Sequence, residues 1–146
     1  MAKGHSLKIR VLNKHSIMIN GEIKKLREIG GIRPKCFYDN YVIKFDDIDD
    51  FQQSTREIET WKNIAKEHRK YFAKLVGWNS EKGYIIQEKI EFRRGRRSNA
   101  AKKIVEEMRK IYQLGDISFC GDNDNWAVRK DGTPVIFDWG VDGVWI

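Results

Sequence analysis

From position 121 the chain reads Gly121-Asp122-Asn123-Asp124-Asn125-Trp126-Ala127-Val128-Arg129-Lys130-Asp131-Gly132-Thr133-Pro134-Val135-Ile136-Phe137-Asp138-Trp139-Gly140. A loop of carboxylates and amides comes first. The apolar run Trp126, Ala127, Val128 follows, then the turn residues Lys130-Asp131-Gly132-Thr133, then a second apolar run, Val135, Ile136, Phe137. Two short apolar runs around an Asp-Gly turn predict a β-hairpin. Such a hairpin holds Asn125 just before its first strand and Asp138 just after its second. Antiparallel strands bring those ends together, so one amide oxygen and one carboxylate face the same small volume. Hard oxygen donors from two points suit Mg²⁺ carried on a phosphate. An acidic surface hairpin without metal is the plainer alternative, and the rest of the chain has to decide.

A length of 146 residues bounds the chain to one domain or two small lobes sharing a core. With 40% hydrophobic and 34% charged residues, it belongs with folded globular chains and not with disordered ones. A net charge of +7 attracts polyanions: nucleotides, nucleic acid or acidic protein surfaces. The start, Met1 to Ser6, leads into Leu7, Ile9 and Val11 separated by other residues, with no apolar core of signal-peptide length, and no later run is long enough to span a bilayer. Cys36 and Cys120 lie in segments without metal-ligand spacing. A reducing, cytoplasmic setting is therefore expected, with a disulfide as the lesser alternative. There is no internal repeat and no low-complexity linker.

Residues 7–12 alternate as a half-buried strand does. Ser16 to Ile19 form a second run that enters an Asn20-Gly21 turn, a dipeptide that tolerates positive φ. Leu26 to Ile29 approach Gly30-Gly31. Cys36 to Tyr38 and Tyr41 to Phe45 flank a turn at Asp39-Asn40, a further hairpin. Lys44 closes the Val42-Ile43-Lys44 run, and a strand lysine ordinarily faces solvent. A helix with Asp49 or Ser54 as its cap carries the apolar stripe Ile58, Trp61, Ile64, Ala65. Leu75 to Trp78 and Gly83 to Glu88 read as strands joined by the polar turn 79–82. Ser98 caps a second helix, Asn99 to Tyr112, whose stripe is Ala101, Ile104, Val105, Met108, Ile111 and Tyr112. Between them, Phe92-Arg93-Arg94-Gly95-Arg96-Arg97 is the densest basic run. It reads first as a solvated loop, and otherwise as a patch for a phosphate-rich or acidic partner.

The order of these parts resembles that of the protein-kinase superfamily. In that family a catalytic-loop Asn and the Asp of an Asp-Phe-Gly motif hold two Mg²⁺ ions. Asn125 and Asp138-Trp139-Gly140 match them, 13 residues apart (138 − 125). The resemblance covers roughly residues 29–140. It implies an α+β, minimal protein-kinase-like fold: an antiparallel-sheet N-lobe with one long helix over residues 1–88, and a reduced C-lobe over 89–146. The C-lobe would hold a hinge, a supporting helix and the metal-site hairpin. It further implies ATP and Mg²⁺ as cofactors, with Lys44 on the phosphates and Glu57 pairing with Lys44 (Glu59 in reserve). Gln87 would guard the back of the nucleotide pocket, and the backbone from Glu88 to Ile90 would bond the adenine. The implied reaction moves the γ-phosphoryl to a hydroxyl of a protein partner.

The pattern also departs from the family. The catalytic Asp lies five residues before the Asn, and position 120 is Cys120. A thiol with an ordinary pKa of about 8.5 is mostly protonated at neutral pH and makes a poor base. Leu114-Gly115-Asp116-Ile117-Ser118 resembles the His-Gly-Asp-Leu-His of aminoglycoside- and choline-type kinases, which makes Asp116 the base. Asp122, on the same loop, is the other candidate. Gly30-Gly31-Ile32-Arg33-Pro34 lacks the glycine-rich phosphate loop, and Arg33 or Lys35 would have to neutralise charge in its place. Six residues follow Gly140, so no activation segment or peptide platform is expected. Two rivals follow: a pseudokinase that binds and regulates a partner, and a basic nucleic-acid-binding protein that uses Arg93, Arg94, Arg96 and Arg97. Small kinase-like chains of this kind resemble proteins carried by bacteriophages.

Overall fold

The computed structural model describes residues 7–13, 15–26, 34–46, 53–90, 98–115, 125–137 and 139–141. They form a mixed α+β chain with antiparallel sheets and few helices. The chain divides into two compact units, Met1–Ile58 with Leu75–Lys89, and Glu59–Lys74 with Ile90–Ile146.

The first unit contains two sheets. Strands β1 (Ile9–Asn13), β2 (Ser16–Ile19) and β3 (Glu22–Lys25) form an antiparallel meander. Asn20 and Gly21 join β2 to β3 with φ of 49° and 86°. Positive φ at both central residues is what a two-residue hairpin loop of the right twist demands. Glu22-Ile23-Lys24-Lys25 has one apolar residue and no alternation, so β3 is a strand by virtue of the turn that precedes it. The second sheet is ordered β4-β5-β7-β6, from β4 (Lys35–Tyr38), β5 (Tyr41–Phe45), β6 (Leu75–Asn79) and β7 (Tyr84–Glu88), with every neighbour antiparallel. Ile17 and Ile19 of the first sheet share one hydrophobic core with Cys36, Tyr41, Ile43, Phe45, Val76, Tyr84 and Ile86 of the second. Successive side chains alternate across a strand. Val42 and Lys44 therefore lie on the other face of β5, as Ile85 and Gln87 do on β7, and all four are buried.

Helix α1 (Gln53–Asn63) buries Ser54, Glu57, Ile58 and Trp61 at helical spacing. Ser54, considered as a cap from the sequence, lies inside the first turn. Its N–H donates instead to Asp46 Oδ1 at 2.7 Å. Asp49 lies outside the described residues.

In the second unit a 3-10 helix (Lys66–Tyr71) follows, and none of its residues is buried. Helix α2 (Asn99–Tyr112) is capped by Ser98, whose Oγ accepts the Ala101 N–H at 3.1 Å, and it ends on Gln113 in the left-handed conformation. Of the expected stripe, Ala101, Val105 and Met108 are buried, whereas Ile111 is 49% exposed. At 100° per residue, Ile111 lies about 80° to one side of the line through Ala101, Val105 and Met108, beyond the buried arc. Strand β8 (Leu114–Gly115) pairs with β11 (Gly140–Val141), and β9 (Trp126–Val128) pairs with β10 (Pro134–Ile136). The Ala73 N–H donates to the Ile136 carbonyl at 2.7 Å. Phe72 meets Trp139 and Tyr112 edge-on, with ring centroids 5.5 and 5.9 Å apart. No helix of the described residues is long and apolar enough to cross a membrane.

Candidate functional site

Among the described residues the buried polar or charged side chains are Lys44 (6% exposed), Ser54 (0%), Glu57 (2%) and Gln87 (1%), and all four belong to the first unit. Lys and Glu are almost never fully buried unless paired, because an ion leaving water loses several kcal/mol of solvation. Lys44 is opposite Ile85, and Val42 is opposite Gln87. Lys44 and Gln87 are thus diagonal neighbours on one sheet face, roughly 7–8 Å apart. Gln87 Nε2 has no hydrogen-bond partner among the described residues, nor does Gln53 Oε1 at the start of α1. A buried amide left unpaired costs about 1–3 kcal/mol, so an acceptor brought by a ligand would be well received there.

Asp46 links the elements that carry these side chains. It follows Lys44 by two residues at the end of β5, and its N–H donates to the Gly83 carbonyl at 2.8 Å. Its carboxylate receives the Ser54 N–H in the first turn of α1, where the helix dipole favours negative charge. Gly83, at φ 71°, leads into β7, and a Cβ there would lie 2.7 Å from Asp46 Oδ2. One residue therefore joins the end of β5 to the start of β7 through its N–H and to the start of α1 through its carboxylate, one turn before Glu57. Glu59, expected as the alternative partner for Lys44, is exposed. Sequence reasoning missed Asp46 because a cap eight residues from the N–H it accepts leaves no local signature.

The residues expected to form a hinge begin at the end of β7. Glu88 is half-buried opposite Tyr41, and the Lys89 N–H donates to the Asn40 carbonyl at 2.9 Å. Ile90 is half-buried and is the first residue of the second unit's longer segment. Tyr84, buried in the sheet core, has its phenol pKa pushed up by desolvation, partly offset by a hydrogen bond with the Asn79 side chain.

In the second unit the expected hairpin is present. Pro134 is opposite Val128 and Ile136 is opposite Trp126, with its turn closed by the Arg129 N–H to Thr133 carbonyl bond of 2.9 Å. Asp131 Oδ1 accepts the Thr133 N–H at 2.9 Å, and the bond to that backbone group holds its carboxyl below the usual range. The Asn125 carbonyl accepts the Phe137 N–H at 3.1 Å, so Asn125 stands opposite the residue preceding Asp138. Asn125 adopts φ 63°, the left-handed region that Asn tolerates better than most residues. A second pairing puts Gly140 opposite Gly115, the residue before Asp116.

Asp116, Asp122, Asp138, Cys120, Arg33 and the arginines at 93, 94, 96 and 97 lie outside the described residues. Among the described residues no group of three or more His, Cys, Asp or Glu side chains could hold a metal ion. No protein-family model matches the chain, and no curated protein is significantly similar to it.

Proposed function

We propose that the chain is a kinase-like protein that binds ATP with Mg²⁺ and passes the γ-phosphoryl to a protein hydroxyl. The observation that carries this reading is the burial of Lys44, Glu57 and Gln87 in one unit, two on one face of a sheet and one on the helix that Asp46 ties to it. A buried ammonium and carboxylate are weak evidence of added stability, because apolar residues of the same volume often do as well or better. The buried Lys44 therefore suits an anion as its partner. Glu57 would hold Lys44 extended, Lys44 would meet the phosphates, and the backbone of Glu88 to Ile90 would accept and donate to the base. Asn125 and Asp138 would offer the oxygen donors that Mg²⁺ prefers, and the Asn125 carbonyl accepts the N–H of Phe137, the residue before Asp138 in the sequence.

When bound, the nucleotide supplies the transferable phosphoryl and the metal neutralises its charge. The protein's part is to position and to orient. Asp116 and Asp122 are the carboxylates proposed to orient the acceptor hydroxyl. The pairing of Gly115 with Gly140 favours Asp116, since it ties the residue before Asp116 to the residue two after Asp138.

A pseudokinase is the second reading, favoured by Cys120 standing five residues before Asn125. Radiolabelled ATP with Mg²⁺ or Mn²⁺ separates the two. Transfer to protein that Asp138→Ala abolishes supports the enzyme, and Asp116→Ala against Asp122→Ala identifies the base. Nucleotide binding without transfer supports the regulator. Absence of both binding and transfer overturns the kinase-like reading altogether.

A further inference from the structure

We infer that β3 is the self-association edge of this protein: a second copy adds its own β3 antiparallel, in a single register centred on Ile23. This stands apart from the nucleotide reading and does not depend on it.

Among the described residues β3 pairs with β2 alone, and among them its other side is a sheet edge. The hairpin registers Ile19 with Glu22, and the pair closing a two-residue loop is hydrogen-bonded. Bonded and non-bonded pairs alternate along an antiparallel ladder. Lys24 is therefore the next bonded residue, and Leu26 the one after; the Leu26 N–H does donate to the His15 carbonyl at 2.8 Å. Ile23 and Lys25 are the intervening residues, and their N–H and C=O groups point away from β2. That is the template an added strand needs.

Side-chain directions are equally defined. Glu22 and Lys24 are opposite Ile19 and Ile17, whose side chains lie in the core, so both share the inner face. The Lys24 ammonium lies 5.9 Å over the Tyr38 ring, as that face requires. Ile23 is on the outer face in a row with Met18 and Arg10, and it is 66% exposed, the most exposed of the large apolar side chains described.

A two-fold pairing of β3 edges must match outward-pointing residues with outward-pointing residues. That leaves one register centred on each residue of the strand. Centring on Glu22 opposes two glutamates, and centring on Lys24 or Lys25 opposes two lysines. Like charges directly opposite destabilise a strand pair. Centring on Ile23 sets Ile23 against Ile23 of the partner subunit and exchanges both backbone bonds. It also sets Glu22 opposite Lys24 of the partner subunit and Lys24 opposite Glu22 of the partner subunit, two complementary pairs from one contact, as an isologous interface gives. The outer row then runs Arg10, Met18, Ile23 and back through the same residues of the second copy. The lysines that ordinarily protect an edge strand here leave one register open. A four-residue edge buries little area, so the association is weak.

Sedimentation equilibrium over a concentration series, with circular dichroism and melting of each variant as the folding control, tests this. Wild type is expected to reach a monomer–dimer equilibrium. Glu22→Lys alone and Lys24→Glu alone each set like charges opposite one another and are expected to weaken self-association at least about tenfold. An equimolar mixture of these two variants restores complementary pairs and is expected to form heterodimers, and the double variant Glu22→Lys/Lys24→Glu to dimerise like wild type. Ile23→Pro removes an outward N–H while sparing the ladder to β2, and is expected to be monomeric. A wild type that stays monomeric at millimolar concentration overturns the proposal. So does dimerisation of Lys24→Glu or Ile23→Pro at wild-type strength, or a mixture of the charge variants that fails to pair.

Discussion

Lys44 lies on β5, an inner strand of its sheet, and Glu57 on α1, and both are nearly inaccessible. If each holds the other, removing either leaves a buried charge behind. Lys44→Met and Glu57→Leu should each cost about 3 kcal/mol in urea unfolding, and the double variant much less than the sum. Strict additivity would break the pair. Glycines differ at the same scale. Gly21 and Gly83 both have positive φ, but a Cβ at Gly21 meets nothing within 4 Å, whereas one at Gly83 meets the Asp46 carboxylate. That carboxylate is held by the Ser54 N–H and does not swing aside freely. Gly21→Ala is expected to cost about 1 kcal/mol, and Gly83→Ala roughly 2–4 kcal/mol, measured by the same unfolding. Tyr84 adds a pH dependence. Its phenol pKa is raised in the folded state, so above pH 10 the unfolded chain loses this proton while the native one keeps it. Stability conferred by the neutral phenol is full below pH 10 and lost as pH rises toward the folded value. Tyr84→Phe should flatten the alkaline limb of the stability curve, and an unchanged limb would assign it to other groups.

Helix α2 shows what an element contributes by its ends as much as by its face. Ser98 satisfies the Ala101 N–H, and Gln113 ends the helix in the left-handed conformation. Ser98→Ala is expected to lower stability by about 1 kcal/mol, and Ser98→Asp to retain it, since a carboxylate accepts the same bond and meets the positive end of the dipole. Thermal melts of the two variants check this, and equal losses in both would exclude the cap. The cap, the helix length and the 126–136 hairpin were all legible in the sequence, because each follows from bonds and periods within a few residues. Asp46 capping α1 was not, since no period links it to Ser54. Nor was β3, whose single apolar residue carries no alternation.

At the scale of the whole molecule the decisive measurement is ligand-linked stability. A ligand bound only by the native state at about 100 times its dissociation constant adds about 2.7 kcal/mol. For a chain of this size, that raises the melting temperature by roughly 5–10 °C. Mg-ATP is expected to produce that rise in wild type, with Lys44→Met and Asp138→Ala losing most of it. A melting temperature indifferent to Mg-ATP in wild type would remove the nucleotide from the account, while leaving the edge pairing of β3 to be judged by its own variants.

Local chemistry in the sequence determined the turns at Asn20-Gly21 and Asp131-Gly132, the two helices and the order in which polar residues follow them. Those features depend on φ, on capping groups and on the spacing of apolar residues, all written within a short stretch of chain. Only the tertiary structure decided that Lys44 is buried where a strand lysine ordinarily faces water, that Glu57 turns inward while Glu59 stays exposed, and that Ile111 stands outside the buried stripe of α2. Val42-Ile43-Lys44 reads the same on an edge strand as between β4 and β7, because burial depends on neighbours brought from distant parts of the chain. The charge of Lys44 acquires its meaning from that burial, which no stretch of sequence contains.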